Sequence, residues 1–136
     1  MSTPFFSIRS TSSDRELVFS DPRQDYFQVE LRGSSVRSTR EVYAYTDAQG
    51  LARLFSKIAA HSRPWAGAES WRSLEGEFKL SAECSPLGHV SFLVEIGDNF
   101  GGPEEWRLSA VLVTELGQLP VIAENAKSFF DAVARA

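Results

Sequence analysis

The sequence predicts an α+β domain in which two amphipathic helices pack on a curved, mostly antiparallel sheet of about seven strands, either continuous or split into two layers. Three observations support this fold class. The chain has 136 residues, a length that suits one domain. Several segments alternate apolar and polar residues, as half-buried strands do, and two segments repeat apolar residues at helical spacing. We therefore assign residues 1–136 to a single domain, with 1–14 as a poorly ordered or edge-strand segment.

The strand predictions rest on alternation and on turn residues between the alternating segments. The clearest segment is Tyr26–Arg32, in which Phe27, Val29 and Leu31 share one face. Short connections between successive strands favour antiparallel pairing, and a sheet of about seven strands must curl or split into two layers. The predicted strands cover Phe5–Arg9, Arg15–Ser20, Tyr26–Arg32, Val36–Tyr45, Gly76–Cys84, His89–Ile96 and Glu105–Thr114.

Two segments carry the helical period instead. The first runs from about Asp47 to His61, and Pro64 ends it. The second runs from about Leu119 to Ala134, with Pro120 in the first turn, where its missing N–H costs little. The apolar residues at helical spacing are Leu51, Leu54, Phe55 and Ile58 in the first helix, and Leu119, Ile122, Ala126, Phe129, Phe130 and Val133 in the second.

The tryptophans are the most informative aromatic residues of the sequence. Trp65 and Trp71 lie in Pro64–Leu74, which we expect to be an irregular connection. Each is a large apolar side chain that must be covered by the fold or used for recognition. Trp106 is in phase with Leu108 of the last strand, which predicts a core position.

Charge is unevenly distributed along the chain. The formal net charge is −4, and it is +2 over residues 1–63 and −6 over residues 64–136. Most of the acidic excess lies between Glu69 and Glu105. Such a segment repels phosphate and attracts basic surfaces, so we expect no nucleic-acid partner. A solvated sheet face with acidic loops is the simpler explanation of the same pattern.

The composition of the sequence also indicates the cellular compartment of the protein. No run of about 18 apolar residues is present, so we expect no membrane-spanning segment, and the N-terminus lacks the pattern of a signal peptide. A single cysteine, Cys84, excludes an internal disulfide. Its position in phase with Phe78 and Leu80 indicates a small core residue rather than a nucleophile. We expect a bacterial protein of the reducing cytoplasm.

The sequence contains no strong catalytic or cofactor motif. It lacks a dinucleotide fingerprint, a phosphate-binding loop and a nucleophile elbow. A metal site from His89, Glu77 and Glu95 on adjacent strands is conceivable, but local hydrogen bonding at the start of a strand is the better explanation of His89. Glu75 and Glu77 point to one side of a strand, whereas glycosidase carboxylates flank the substrate. We therefore expect solvated carboxylates, no metal, no cofactor and no enzyme activity.

Several segments resemble an uncharacterised family of small bacterial proteins. The resemblance rests on Trp71–Glu77, Leu87–Val90, Trp106 and Glu115–Leu119, with Tyr26–Gly33 and Val42–Asp47 upstream. It implies no established activity. More distantly, the order of elements is similar to immunity proteins of the WapI type, which neutralise toxin domains. That similarity implies an inhibitory role without identifying the residues that perform it.

Three functions remain open at this point. The first is a protein-interaction module, such as an immunity protein for a basic toxin or nuclease, because electrostatic complementarity speeds association. The second is a small-ligand binder or enzyme with a pocket between sheet and helix, lined by Trp65, Trp71 and His89. The third is a homo-oligomer formed through an exposed strand edge. The candidate partner contacts are Trp65, Glu69, Trp71, Glu75, Glu77 and His89.

Overall fold

A computed structural model describes residues 4–98 and 100–135, and it confirms the α+β fold class. Its eight strands form two separate four-stranded antiparallel sheets, each in sequential order. The first sheet contains β1 (Phe5–Arg9), β2 (Glu16–Arg23), β3 (Tyr26–Arg32) and β4 (Ser38–Tyr43). The second sheet contains β5 (Glu69–Arg72), β6 (Phe78–Cys84), β7 (His89–Asp98) and β8 (Trp106–Glu115). The helices are α1 (Gly50–Ala59) and α2 (Leu119–Arg135), and a 3₁₀ turn, Leu116–Gln118, precedes α2.

Alternation places the apolar face of each sheet in the core. In β3, Phe27, Val29 and Leu31 are fully buried, while their neighbours along the strand are partly or fully exposed. The two helices cover these apolar faces: α1 packs on α2 and on β5, and α2 packs on β1 and β2. No helix of the described residues has the length and hydropathy needed to cross a membrane.

A cluster of phenylalanines joins the two sheets and both helices into one core. The ring of Phe19 on β2 lies 6.0 Å from the rings of Phe78 on β6 and Phe130 on α2. The ring of Phe55 on α1 lies 6.1 Å from that of Phe92 on β7. Because both sheets and both helices take part in these contacts, the sheets are held to each other through side chains rather than through continuous strand pairing.

Polar contacts join the sheets at both margins. On one side, the N–H of Thr11 donates to the carbonyl of Val113 on β8 at 2.7 Å. On the other side, the guanidinium of Arg40 on β4 contacts Asp98 at the end of β7 at 3.2 Å. An inward-facing charge on an edge strand also discourages pairing with a second chain. Both margins therefore carry specific contacts, which fix the orientation of one sheet against the other.

Four local predictions are corrected. The segment expected to be irregular contains β5, a short edge strand. β2 continues through Pro22 to Arg23, beyond the predicted end at Ser20, because an irregularity in the pairing with Asp21 at φ 51° lets the strand resume. Trp106 is in phase with the core residues of β8, but it lies at the strand end and is 37% exposed. Glu77, expected to be solvated, is only 3% exposed.

Candidate functional site

Three tyrosines form a ladder on the outer face of the first sheet. Tyr26 of β3 lies opposite Tyr43 of β4, with ring centroids 5.0 Å apart. Tyr43 in turn stacks on Tyr45, just beyond β4, at 6.0 Å and an interplanar angle of 6°. Their chain neighbours Phe27 and Val42 point into the core, so alternation directs Tyr26 and Tyr43 outward. We call Tyr26, Tyr43 and Tyr45 the tyrosine ladder.

Four carboxylates lie near the tyrosine ladder, and we call them the acidic rim. Asp21 and Glu41 pair with Arg23, which lies over the Tyr26 ring, and Asp25 and Glu75 act electrostatically on Tyr43. Asp21 and Asp25 adopt positive φ angles of 51° and 67°, in the left-handed region that aspartate tolerates better than most residues. The N–H of Asp25 donates to the carbonyl of Val133 at 3.3 Å, and its carbonyl accepts the N–H of Ala44 at 2.7 Å. The turn that carries two rim residues is therefore anchored to the core.

This surface already holds one guanidinium group of its own chain. The Arg23 guanidinium carbon lies 5.3 Å from the ring centroid of Tyr26. Arg23 also forms ion pairs with Asp21, at 3.3 Å, and with Glu41. An aromatic face flanked by carboxylates is a favourable environment for a cationic side chain. The contacts of Arg23 show that the geometry here accommodates one.

The environment of Tyr43 keeps its hydroxyl protonated. Burial is the largest factor that raises the pKa of Tyr43, followed by its neighbours Tyr26, Asp25, Tyr45 and Glu75. All these neighbours disfavour a negative charge on the phenol. Tyr43 therefore remains a neutral hydrogen-bond donor and acceptor at physiological pH, beside the carboxylates of the acidic rim.

The first three predicted contact residues lie beside α1. Glu69 of β5 pairs with Lys57 of α1 at 2.8 Å. The indole N–H of Trp71 donates to Asp47 at 2.9 Å. Trp65 stacks on His61, with ring centroids 4.7 Å apart. Its buried indole nitrogen has no hydrogen-bond partner among the described residues. The contacts of Glu69 and Trp71 join β5 to α1 and to the turn before it, and all three side chains are only partly exposed.

The other three predicted contacts lie apart from this group and from one another. Glu75 is exposed and belongs to the acidic rim. Glu77 is buried, where its carboxylate accepts the backbone N–H of Tyr43 at 3.0 Å and the hydroxyl of Ser73. His89 lies on the outer face of the second sheet and contacts Glu115 through Nδ1 at 3.0 Å. The six residues therefore do not form one surface, and Glu77 links the two sheets.

The pocket expected between sheet and helix is replaced by a shallow groove between α1 and β5, with a volume of about 420 Å³. Trp71 lines it, whereas Trp65 and His89 do not. The conceivable metal set of His89, Glu77 and Glu95 is not assembled, because His89 and Glu77 have the separate partners described above. Within the described part of the chain, no group of three or more potential ligands is arranged to hold a metal ion.

Ion pairs neutralise several carboxylates in the second half of the chain, and two of these carboxylates, Glu69 and Asp98, pair with cations of the first half. Glu95 lies 3.9 Å from Lys79, Asp98 contacts Arg40, and Glu105 pairs with Arg107 at 2.9 Å. The cationic partners neutralise these carboxylates locally. The acidic rim draws three of its four members from the first half, so the charge of a sequence segment does not locate the acidic surface.

The tyrosine ladder was missed as a site, although part of its signal is visible in the sequence. Tyr26 falls on the polar face of a strand that alternates cleanly, and tyrosine is a residue type enriched at interfaces. The pairing of Tyr26 with Tyr43 depends on the strand register. The sequence pattern does not give this register.

Comparisons with known proteins identify the family of the chain. A family model described as a family of unknown function, DUF6228, matches residues 8–133. The chain therefore belongs to this family, which agrees with the predicted resemblance to an uncharacterised family. A comparison with curated proteins found no match.

Proposed function

We propose that this protein is a non-enzymatic interaction module that binds a basic protein through the tyrosine ladder and the acidic rim. Within that class, we propose an immunity protein that neutralises a basic toxin or nuclease, the role that the similarity to WapI-type proteins implies. The observation that carries the proposal is the environment of Arg23, whose guanidinium is held between the Tyr26 ring and two carboxylates. A partner's arginine or lysine side chains would find the same chemistry along the rest of the ladder.

The composition of this surface favours protein recognition. Tyrosine provides a large contact area with only two rotatable side-chain bonds, so little conformational entropy is lost on binding. Tyr45 is 63% exposed, so a bound partner protein would cover its ring. The rim contributes four negative charges against the one positive charge of Arg23, a local charge of −3 that would accelerate association with a basic partner.

The immunity role is proposed because such a surface would cover the basic substrate-binding surface of a partner nuclease. An enzyme that cleaves nucleic acid needs a basic surface to hold the phosphate backbone. A rigid acidic surface with aromatic contacts could occupy those cations and block substrate without any chemistry of its own. This mode of action requires shape and charge, and both the ladder and the rim lie on well-anchored strands and turns.

The experiment begins with capture of partners on the immobilised chain at low salt, followed by purification of any captured protein. Its affinity is then measured for the wild type and for Glu75→Lys, Tyr45→Ala and Glu83→Lys. Glu83 is an exposed glutamate at the other end of β6 from Glu75, so it is the matched control for charge reversal. We expect Glu75→Lys and Tyr45→Ala each to weaken binding by about tenfold or more, with Glu83→Lys close to wild type.

Inhibition of the captured protein completes the test. For an immunity protein, the wild-type chain should abolish the partner's nuclease or toxic activity at equimolar amounts, and Glu75→Lys should restore part of it. Equal loss of affinity in all three variants would contradict the surface assignment. A captured copy of the same chain, confirmed by light scattering, would instead establish the homo-oligomer and refute a basic partner.

A further inference from the structure

A second recess lies on the outer face of the second sheet, away from both helices. It has a volume of about 570 Å³, within the range of small-molecule sites. A row of residues crosses all four strands at its floor, because Arg72 pairs with Lys79, Lys79 with Glu95, and Glu95 with Ser109 in the strand register. We call this recess the outer cleft.

Two glycines leave room for the side chains that form the walls of the outer cleft. A Cβ atom on Gly97 would lie 2.7 Å from the ring of Phe100, so the ring can pack here only against glycine. A Cβ atom on Gly76, whose φ is 78°, would lie 2.9 Å from the guanidinium of Arg72. The backbone thus gives close support to one aromatic ring and one cationic group, both of which line the recess.

The loop that carries Phe100 is held by a network of its own. The Arg107 guanidinium carbon lies 4.6 Å from the Phe100 ring centroid. Glu105 accepts hydrogen bonds from Arg107 at 2.9 Å and from the N–H of Gly101 at 2.7 Å. These contacts orient the ring before any ligand arrives, which reduces the entropic cost of binding.

The charges of the outer cleft favour a ligand with a single negative charge. The carboxylates that line the cleft are Glu75 and Glu95. Lys79 pairs with Glu95 and Arg107 pairs with Glu105, so these two cations are already compensated within the chain. Among the described residues, Arg72 has no ion-pair partner, and it is the cation left for a ligand. A guanidinium recognises a carboxylate with two parallel hydrogen bonds. The flanking glutamates would repel a second negative charge.

We infer that the outer cleft binds an aromatic monocarboxylate, with its carboxylate on Arg72 and its ring near Phe100. Phe100 is 39% exposed, so a planar ligand has an apolar surface to cover. The inference is independent of a basic partner, because neither Arg72 nor Phe100 belongs to the tyrosine ladder or the acidic rim. Glu75 borders both regions, so a ligand here would adjoin the proposed protein-binding surface.

The test titrates benzoate, phenyl phosphate and inorganic phosphate into the ¹⁵N-labelled chain and follows the amide shifts of the outer cleft. We expect benzoate to shift these amides with a Kd at or below about 1 mM, and phenyl phosphate and inorganic phosphate to bind more weakly. Arg72→Gln should weaken benzoate binding by about tenfold or more, and Phe100→Ala should weaken it less. Arg63→Gln, which neutralises another exposed arginine, and Tyr45→Ala should leave it unchanged.

Three results would overturn the inference. They are the absence of benzoate-dependent shifts at about 10 mM, tighter binding of phenyl phosphate than of benzoate, and equal affinity in Arg72→Gln and wild type. The amide spectrum of each variant also reports whether it is folded, so a loss of binding is not confused with unfolding. Because Tyr45→Ala removes part of the tyrosine ladder alone, failure of the protein-binding proposal and failure of this one are distinguishable.

Discussion

Replacement of the buried carboxylate of Glu77 tests how the two sheets are joined. Glu77→Ala removes the acceptor of the Tyr43 N–H and of the Ser73 hydroxyl. Hydrogen bonds to a charged group contribute about 1.5–3 kcal/mol each, and release of a buried charge offsets part of their loss, so we expect a loss of about 3 kcal/mol in the free energy of unfolding. For a chain of this size, that corresponds to a decrease in Tm of about 10 °C.

Glu77→Gln separates the loss of hydrogen bonds from the loss of charge. Its amide oxygen can accept the Tyr43 N–H, and its amide nitrogen can donate to the Ser73 hydroxyl, which can then donate to the Phe78 carbonyl at 3.2 Å. We expect this variant to lose only about 1 kcal/mol.

Urea unfolding followed by tryptophan fluorescence measures these differences, with Glu83→Ala as the exposed control, expected within about 0.5 kcal/mol of wild type. If the free energy of unfolding of Glu77→Ala also lay within about 0.5 kcal/mol of the wild-type value, the carboxylate would not stabilise the contact between the sheets. Equal losses in Glu77→Ala and Glu77→Gln would attribute the effect to charge rather than to hydrogen bonding.

Two further predictions concern local geometry. Gly50→Ala would place a Cβ atom 2.0 Å from the indole nitrogen of Trp71, so we expect a loss of at least about 2 kcal/mol and a changed near-UV circular dichroism spectrum. Gly117→Ala, which meets nothing within 4 Å, is the matched control. Hydrogen bonding to the Gly101 N–H and then to Arg107 lowers the pKa of Glu105 below its usual 4.5. The loop contact is therefore present at neutral pH and lost as the pH falls through that lowered value. The Gly101 amide shift should titrate below pH 4.5, and Glu105→Gln should abolish the titration; a midpoint at or above that pH would contradict the contact.

The sequence predicts the elements with strong periodicity. β3 has the predicted bounds, Tyr26–Arg32, because its apolar alternation is uninterrupted. α1 occupies Gly50–Ala59 within the longer predicted range, since the helical period does not define the first and last turns. β5 was missed because it has only four residues, and the alternation of Glu69 and Trp71 with their exposed neighbours is too short to distinguish from a loop.

The site was less predictable, because its residues meet through tertiary contacts. Glu77 precedes β6 by one residue and looks like a solvated strand position, yet its partner Tyr43 is 34 residues away in sequence. Asp98 and Arg40 belong to different halves of the chain and neutralise each other. The strand register and the contacts between the sheets determine which charges remain available, and neither is visible in the order of residues.

The measurement that tests the central claim most directly is hydrogen–deuterium exchange of the chain, free and bound to its captured basic partner. The proposed surface predicts slower exchange in the bound state over residues 21–26 and 41–45, which carry the tyrosine ladder and most of the acidic rim. It also predicts little change at Leu87–His89, at the far end of the second sheet. Protection confined to α1, α2 or Leu87–His89, with residues 21–26 and 41–45 unchanged, would contradict it.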